Sequence, residues 1–170
     1  MLRHKEPYLS FYRILGYCPH RIELYQQAVT HRSAVTPDEN GRKINNERLE
    51  FLGDAVFTLV TADILYHAFP EKREGFLSSS RSRIIQRETL NRIALEIGLN
   101  KLVRADIQIT SHNNYIYGNA FEALIGPFIS TADSNNVADS SPSVFSPAIS
   151  TWNKLPRPIS TSNRNSSSGD

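Results

Sequence analysis

The residues of this chain with the clearest potential for chemistry are three carboxylates in one short segment, Glu47, Glu50 and Asp54. The segment predicts a helix, and at about 100° per residue the three acids share one narrow stripe of it. Glu47 and Glu50 lie in the first turn, where acids favour the helix dipole, whereas Asp54 lies beyond that effect. On spacing alone, a metal site and a solvated acidic face stay open as alternatives.

Two further features favour the metal site. Gly53 lies inside the long helix, where glycine costs about 1 kcal/mol relative to alanine, so we expect a backbone or a ligand close to it. A second acid, Glu122, follows Asn119 by three residues on another predicted helix. Oxygen ligands of this kind suit Mg²⁺ or Mn²⁺. Such ions, held between two helices, can activate water for phosphodiester hydrolysis and stabilise the leaving oxygen.

The elements that must position these groups are helices. Apolar spacing and end signals predict helices over 9–18, 21–33, 47–69, 75–86, 87–98 and 115–126, with a loop at 34–44 and an irregular segment at 99–114. Asn45 or Asn46 is expected to cap the long helix, Pro70 to stop it, and Gly98 to end the 87–98 helix. No segment alternates strictly between apolar and polar residues, so we predict an all-α fold.

The helix at 47–69 is predicted to be the central one. Its core-facing residues are expected opposite the acids, at Leu49, Leu52, Val56, Leu59 and Val60. Phe51 falls beside the acids and away from that face. A large aromatic in such a position is expected either to be covered by another chain or to lower the solubility of the protein.

Composition limits the classes of protein that this chain can be. A length of 170 residues predicts one domain. A net charge of +2 excludes a histone-like polycation. The single cysteine, Cys18, excludes an intramolecular disulfide or a cysteine-rich zinc site and is expected to be buried. No signal peptide or apolar span is visible, so we expect a soluble, cytoplasmic protein.

The composition changes after residue 126. Residues 127–170 hold five of the nine prolines and are about a quarter serine. Such a segment cannot bury enough apolar surface to fold by itself. We therefore predict a domain over 1–126 and a disordered tail over 127–170, and read-through of a shifted frame is a second interpretation of that tail.

Four motifs, in order, resemble those of the ribonuclease III family. Residues 46–56, NERLEFLGDAV, are similar to its signature helix, and residues 118–126, GNAFEALIG, to its second acidic motif. Residues 30–33, THRS, and 73–78, REGFLS, resemble its segments before and after that helix. The resemblance covers most of 1–126 and ends at Gly126. Because the further helices and the double-stranded-RNA-binding domain that are common in the family do not follow, the chain resembles a ribonuclease III cut short.

The resemblance implies a Mg²⁺-dependent endonuclease, with Mn²⁺ a possible substitute, that cleaves double-stranded RNA as a homodimer and leaves 5′-phosphate ends. It also implies roles in processing ribosomal and messenger RNA. Matched residue by residue, it makes Glu50, Asp54, Asn119 and Glu122 metal ligands and Glu47, Asp54 and Glu122 catalytic. Asn119 stands where the family most often has aspartate, so it brings one negative charge fewer to the metal.

The resemblance further implies that Glu74 lies near the scissile phosphate and that Phe51 inserts into the partner subunit. With the resemblance, the basic residues around the helix at 75–86 are assigned to RNA phosphates: Lys72, Arg73, Arg81 and Arg83, with Arg87 beside them. Without it, an ordinary solvated helix face is the alternative interpretation. A catalytically impaired RNA-binding or dimerising remnant is the alternative function, although intact acidic positions argue against it. A carboxylate di-iron bundle would need Glu-x-x-His pairs, and this chain has none.

Overall fold

The computed structural model describes residues 6–37, 39–108, 110 and 115–130. In these residues it contains six α-helices: α1 (Glu6–Leu15), α2 (Ile22–Ala28), α3 (Glu47–Ala68), α4 (Glu74–Ile84), α5 (Arg87–Glu96) and α6 (Ile116–Ser130). Short 3₁₀ turns lie at Arg32–Ala34 and Leu99–Lys101, and an isolated β-bridge joins Thr30 to Arg104. The predicted all-α fold is confirmed. No helix among the described residues is long and apolar enough to cross a membrane.

The first two helices are shorter at their carboxyl ends than predicted. The chain turns away from α1 at Gly16, whose φ of 80° is left-handed. After α2, the backbone around Thr30 leaves the helical path because it pairs with a later segment. His31 N donates to Arg104 O at 2.9 Å, and Arg104 N donates to Val29 O at 2.8 Å. These long-range bonds are invisible to helical periodicity.

The ends of the later helices agree more closely with the predictions. Helix α3 spans Glu47–Ala68 and stops before Pro70, and Gly98 ends the α5 segment with a φ of 77°. Helix α6 runs four residues beyond the predicted end at 126, through the fully buried Pro127. Residues 131–170 of the predicted tail lie outside the described residues.

The central helix is α6 rather than the predicted α3. Helix α6 packs against α3, α5 and α2, and its contact with α3 is the most extensive between any two described elements. Nearly every described side chain from Ile116 to Pro127 is buried or half-buried, and Glu122 is the only charged residue in the helix. Apolar residues on all sides are typical of a helix enclosed by others, whereas α3 keeps one face open.

The core-facing side of α3 agrees with the prediction only in part: Leu49 is buried and Val56 and Val60 pack against the core, but the centre of the buried face lies elsewhere. The buried residues of α3 repeat every four positions, at Leu49, Gly53, Phe57, Thr61 and Leu65. Leu59, which we expected in the core, is 70% exposed. The buried row adjoins the acid stripe instead of lying opposite it, because α6 approaches α3 from that side. The ring of Phe57 meets that of Phe121 edge to face, with centroids 5.5 Å apart.

Two other expectations concern single residues. The close neighbour expected at Gly53 is confirmed, since the backbone of Glu122 lies against it. The burial expected of Cys18 is wrong: this cysteine is exposed, in the bend between α1 and α2.

Candidate active site

The start of α3 is anchored before its first acid. Asn46 is buried, and its backbone N–H donates to Thr30 O at 3.0 Å, which ties the helix to the end of α2. The predicted cap is shared between two asparagines. Asn46 is the capping residue by position, and Asn45 Oδ1 accepts the first free helical N–H, from Glu47, at 3.0 Å. The acidic turn is therefore held at a fixed place on the domain surface.

Acidic side chains from α3 and α6 face one cleft of about 530 Å³, which we call the acidic cleft. Three carboxylates and one amide form its floor, and the segments around Arg32 and Tyr115 form its rim. Its lining residues are His31, Arg32, Asn46, Glu47, Glu50, Phe51, Asp54, Tyr115, Asn119 and Glu122. All the predicted metal-ligand positions lie in this one cleft.

The carboxylates of the acidic cleft repel one another. Burial, followed by the charges of Asp54 and Glu50, raises the pKa of Glu122 to about 8. Burial and the charge of Glu47 raise the pKa of Glu50, and a hydrogen bond from Asn119 partly offsets that rise. The acidic cleft therefore brings carboxyl groups together where their ionised forms are unfavourable unless a cation is bound. Such perturbed carboxyls are typical of functional sites.

Arg87, beside the rim residue Tyr115, brings positive charge close to the acidic cleft. The Arg87 guanidinium lies over the Tyr115 ring, 5.8 Å from its centroid, and its charge lowers the pKa of both Glu50 and Glu122. Sequence analysis grouped Arg87 with the basic residues around α4. Only the packing of α5 on α6 reveals that its charge acts at the acidic cleft.

His31 also lines the acidic cleft, where it has a structural role. Its Nδ1 accepts the backbone N–H of Ser33 at 3.2 Å and lies 2.8 Å from Ser33 Oγ, so it caps the 3₁₀ turn. Burial and the neighbouring Arg32 lower its pKa. In the sequence, the THRS motif at residues 30–33 was the feature that could indicate this part of the cleft.

The residues predicted to contact RNA lie away from the acidic cleft. None of Lys72, Arg73, Glu74, Arg81 and Arg83 lines it. The Glu74 carboxylate accepts a hydrogen bond from Ser78 Oγ at 2.5 Å, and Lys72 lies over the Phe76 ring at 5.7 Å. Their assignment to RNA stays a prediction.

Glu47 lines the acidic cleft, but both of its carboxylate oxygens are engaged. Oε1 accepts from Arg32 Nη1 at 3.4 Å, and Oε2 accepts from Asn45 Nδ2 at 3.0 Å. The side chain therefore stands at the edge of the cleft rather than over its floor. Its catalytic assignment also stays a prediction.

The donor set fits a hard divalent cation in chemical type. Glu50, Asp54, Asn119 and Glu122 present oxygen atoms only, which is the choice of Mg²⁺ and Mn²⁺. As they stand, no three His, Cys, Asp or Glu side chains in the described part of the chain are arranged to hold an ion. The raised pKa values of Glu50 and Glu122 come first from burial and then from neighbouring negative charge, which a bound cation would offset.

Comparison with known proteins gives relatives for most of the chain. A family model described as Ribonuclease-III-like matches residues 21–140, which extends past Gly126, where the motif resemblance ended. Ribonuclease 3 of Bacteroides thetaiotaomicron is 56% identical over 124 residues, which cover 73% of this chain and 40% of that protein. Ribonuclease 3 of Zunongwangia profunda is 41% identical over 117 residues, 69% of this chain and 48% of that protein. The chain spans less than half the length of these relatives.

Solved structures give the same family. The nuclease domain of ribonuclease III from Campylobacter jejuni superimposes with a TM-score of 0.65 and 28% identity, over 86% of this chain and 93% of that one. A second structure of that domain, which concerns flexibility in a region involved in dimer formation, gives a TM-score of 0.64 and 28% identity over 85% and 95%. Because the family model matches well over half of its residues, this chain belongs to the Ribonuclease-III-like family.

Proposed function

We propose that this chain is the endonuclease domain of a ribonuclease III that cleaves double-stranded RNA with the help of Mg²⁺. The observation that carries the proposal is the meeting of Glu50 and Asp54 from α3 with Asn119 and Glu122 from α6 in one cleft. Relatives named Ribonuclease 3 and the Campylobacter jejuni nuclease domain support it. Processing of ribosomal and messenger RNA, and a cytoplasmic location, stay predictions from the family.

The four floor residues would hold the cation. When bound, Mg²⁺ would supply the Lewis acid that lowers the pKa of water and stabilises charge on the leaving oxygen. Burial and neighbouring charge raise the pKa of Glu50 and of Glu122, and a bound cation would lower both by favouring the ionised carboxylates. The Asn119 amide restrains the Glu50 carboxylate by a hydrogen bond, and Arg87 provides positive charge at the rim where a phosphate would arrive.

A second copy of the chain is the proposed partner of α3. Phe51, Leu59 and Tyr66 are 81%, 70% and 67% exposed, and their spacing of eight and seven residues puts them on one face of α3. Apolar stripes of this size are unusual on a monomer. Because Phe51 also lines the acidic cleft, a dimer through this face would bring the two clefts near its interface.

The test is cleavage of a long, perfectly paired RNA with Mg²⁺, for the wild-type chain and for Glu122→Gln. We expect short duplex products with 5′-phosphate ends from the wild type. The variant should be slower by on the order of 100-fold or more, because it loses a charged ligand. Equal cleavage by both proteins would refute the role of the cleft. Binding of duplex without cleavage would favour the remnant.

A further inference from the structure

A second cleft, of about 830 Å³, adjoins the acidic one, and none of its cationic residues was predicted to have a function. We call it the basic cleft, because it is lined by four cationic side chains and a single carboxylate. The cations are Arg32, Arg42, Lys43 and Arg48, and the carboxylate is Glu47. The two clefts share the ion-paired Arg32 and Glu47, so they adjoin at this pair, with mostly cationic residues on one side and mostly carboxylates on the other.

The basic cleft is built on a restrained segment. Gln27 Nε2 of α2 donates to Asn45 O at 2.8 Å, so the segment carrying Arg42 and Lys43 is bound to α2. Arg48 projects from the first turn of α3, which the bond from Asn46 N to Thr30 O holds in place. Two of the four cations therefore belong to helical or 3₁₀ elements, and the other two to a segment fixed at its end.

The charge pattern indicates a polyanion. Several cations in a concave surface raise the local positive potential and attract extended negative charge. Guanidinium groups suit phosphate because they donate two parallel hydrogen bonds. A backbone that lies with one phosphate over the acidic cleft must place its next phosphates beside that cleft, and cations there would neutralise them. Duplex RNA is held mainly through such backbone interactions.

We propose that Arg32, Arg42, Lys43 and Arg48 form a binding site for the RNA phosphates that flank the scissile one. This inference rests on the proposed function and adds to it the path of the strand. The site is a positioning site: its residues touch phosphates that do not react. Removal of these cations should weaken binding of any duplex sequence alike, and it should raise KM while kcat at saturating RNA stays unchanged.

The experiment uses the full chain carrying Lys43→Gln and Arg48→Gln, which spares Arg32 and its bond to Glu47. Binding of duplex RNA is measured by fluorescence anisotropy over a series of KCl concentrations, with Glu122→Gln in every protein to prevent cleavage. We expect roughly tenfold weaker binding and a slope of log K against log salt that is smaller by about 0.7–0.9 for each phosphate that the variant no longer neutralises. Steady-state cleavage by the wild type and by the Lys43→Gln, Arg48→Gln variant, both with Glu122 intact, gives the KM and kcat values.

The matched control carries Arg13→Gln and Arg92→Gln, which remove the same charge from exposed positions on α1 and α5 that line neither cleft. An equally reduced slope in the control would overturn the inference, because it would mean diffuse attraction. If the wild type binds duplex RNA and the Lys43→Gln, Arg48→Gln variant binds it equally well, the inference is overturned but the proposed function is not. Failure of the wild type to bind duplex would overturn the proposed function as well. Loss of self-association rather than RNA binding, seen by sedimentation, would make the cleft an interface between copies and also overturn it.

Discussion

Gly53 of α3 lies directly against the backbone carbonyl of Glu122 on α6. A Cβ atom at position 53 would be 2.6 Å from the carbonyl carbon of Glu122, far inside contact distance. The arrangement is reciprocal, since a Cβ at Gly126 would be 2.7 Å from Leu49 O. The two glycines let the helix backbones touch, and this contact brings Asp54, the residue after Gly53, into the same cleft as Glu122.

The first prediction is that Gly53→Ala destabilises the protein although alanine is the better helix former. The alanine Cβ would meet the backbone of Glu122, which cannot rotate away as a flexible side chain could, so α3 and α6 must separate, at a cost of about 1–3 kcal/mol or more. Gly75→Ala is the control, because nothing lies within 4 Å of a Cβ at that exposed position in α4. It should stabilise by about 0.5–1 kcal/mol. Urea unfolding measures both, and stabilisation by Gly53→Ala would disprove the close contact.

The second prediction concerns pH. The pKa of Glu122 is raised to about 8 from its ordinary 4.5, so between these values the folded protein holds a proton that the unfolded chain has released. Without divalent ions, the free energy of unfolding should therefore fall as pH rises through this window. Glu122→Gln cannot ionise, so its decline should be shallower.

Urea unfolding in EDTA at about pH 5, 7 and 9 measures this pH dependence. Glu88→Gln, at an exposed position on α5 outside the acidic cleft, is the control and should follow the wild type. Parallel curves for wild type and Glu122→Gln would contradict the raised pKa of Glu122.

The third prediction is that Asn119→Asp increases divalent-ion affinity and lowers stability without the ion. Asn119 now donates a hydrogen bond to Glu50. Aspartate would replace that donor with a further negative charge, which repels its neighbours and attracts a cation. Calorimetric titration with Mg²⁺ should show roughly tenfold tighter binding. Asn100→Asp, outside the acidic cleft, should leave the affinity unchanged. Weaker binding by Asn119→Asp would argue against position 119 as a ligand.

The fourth prediction is that Phe51→Ser dissociates the proposed dimer. Phe51 is 81% exposed on its own chain, and a buried Phe contributes about 1.5–3 kcal/mol. A symmetric interface holds this side chain twice, so the dimer Kd should rise roughly 100-fold or more. Sedimentation velocity over a concentration series measures it. Leu95→Ser is the control at an exposed apolar position on α5, away from the stripe. An unchanged dimer would place the interface elsewhere.

The sequence by itself determined the helical class, the positions of most helices and the acids that meet in the cleft. Helical periodicity and the motif around Glu50 and Asp54 are local properties, so they can be read without knowing the packing. The same is true of Gly53, whose cost within a helix predicted a close neighbour.

Only the tertiary structure decided which faces are covered. Helical periodicity placed Leu59 in the core and the acids opposite it, because it could not know from which side α6 would approach. The incorrect expectation that Cys18 is buried has the same cause. So does the effect of Arg87 on the cleft carboxylates, which the sequence did not reveal. Periodicity defines the faces of a helix, but long-range contacts such as the one between Gly53 and Glu122 select the face that is buried.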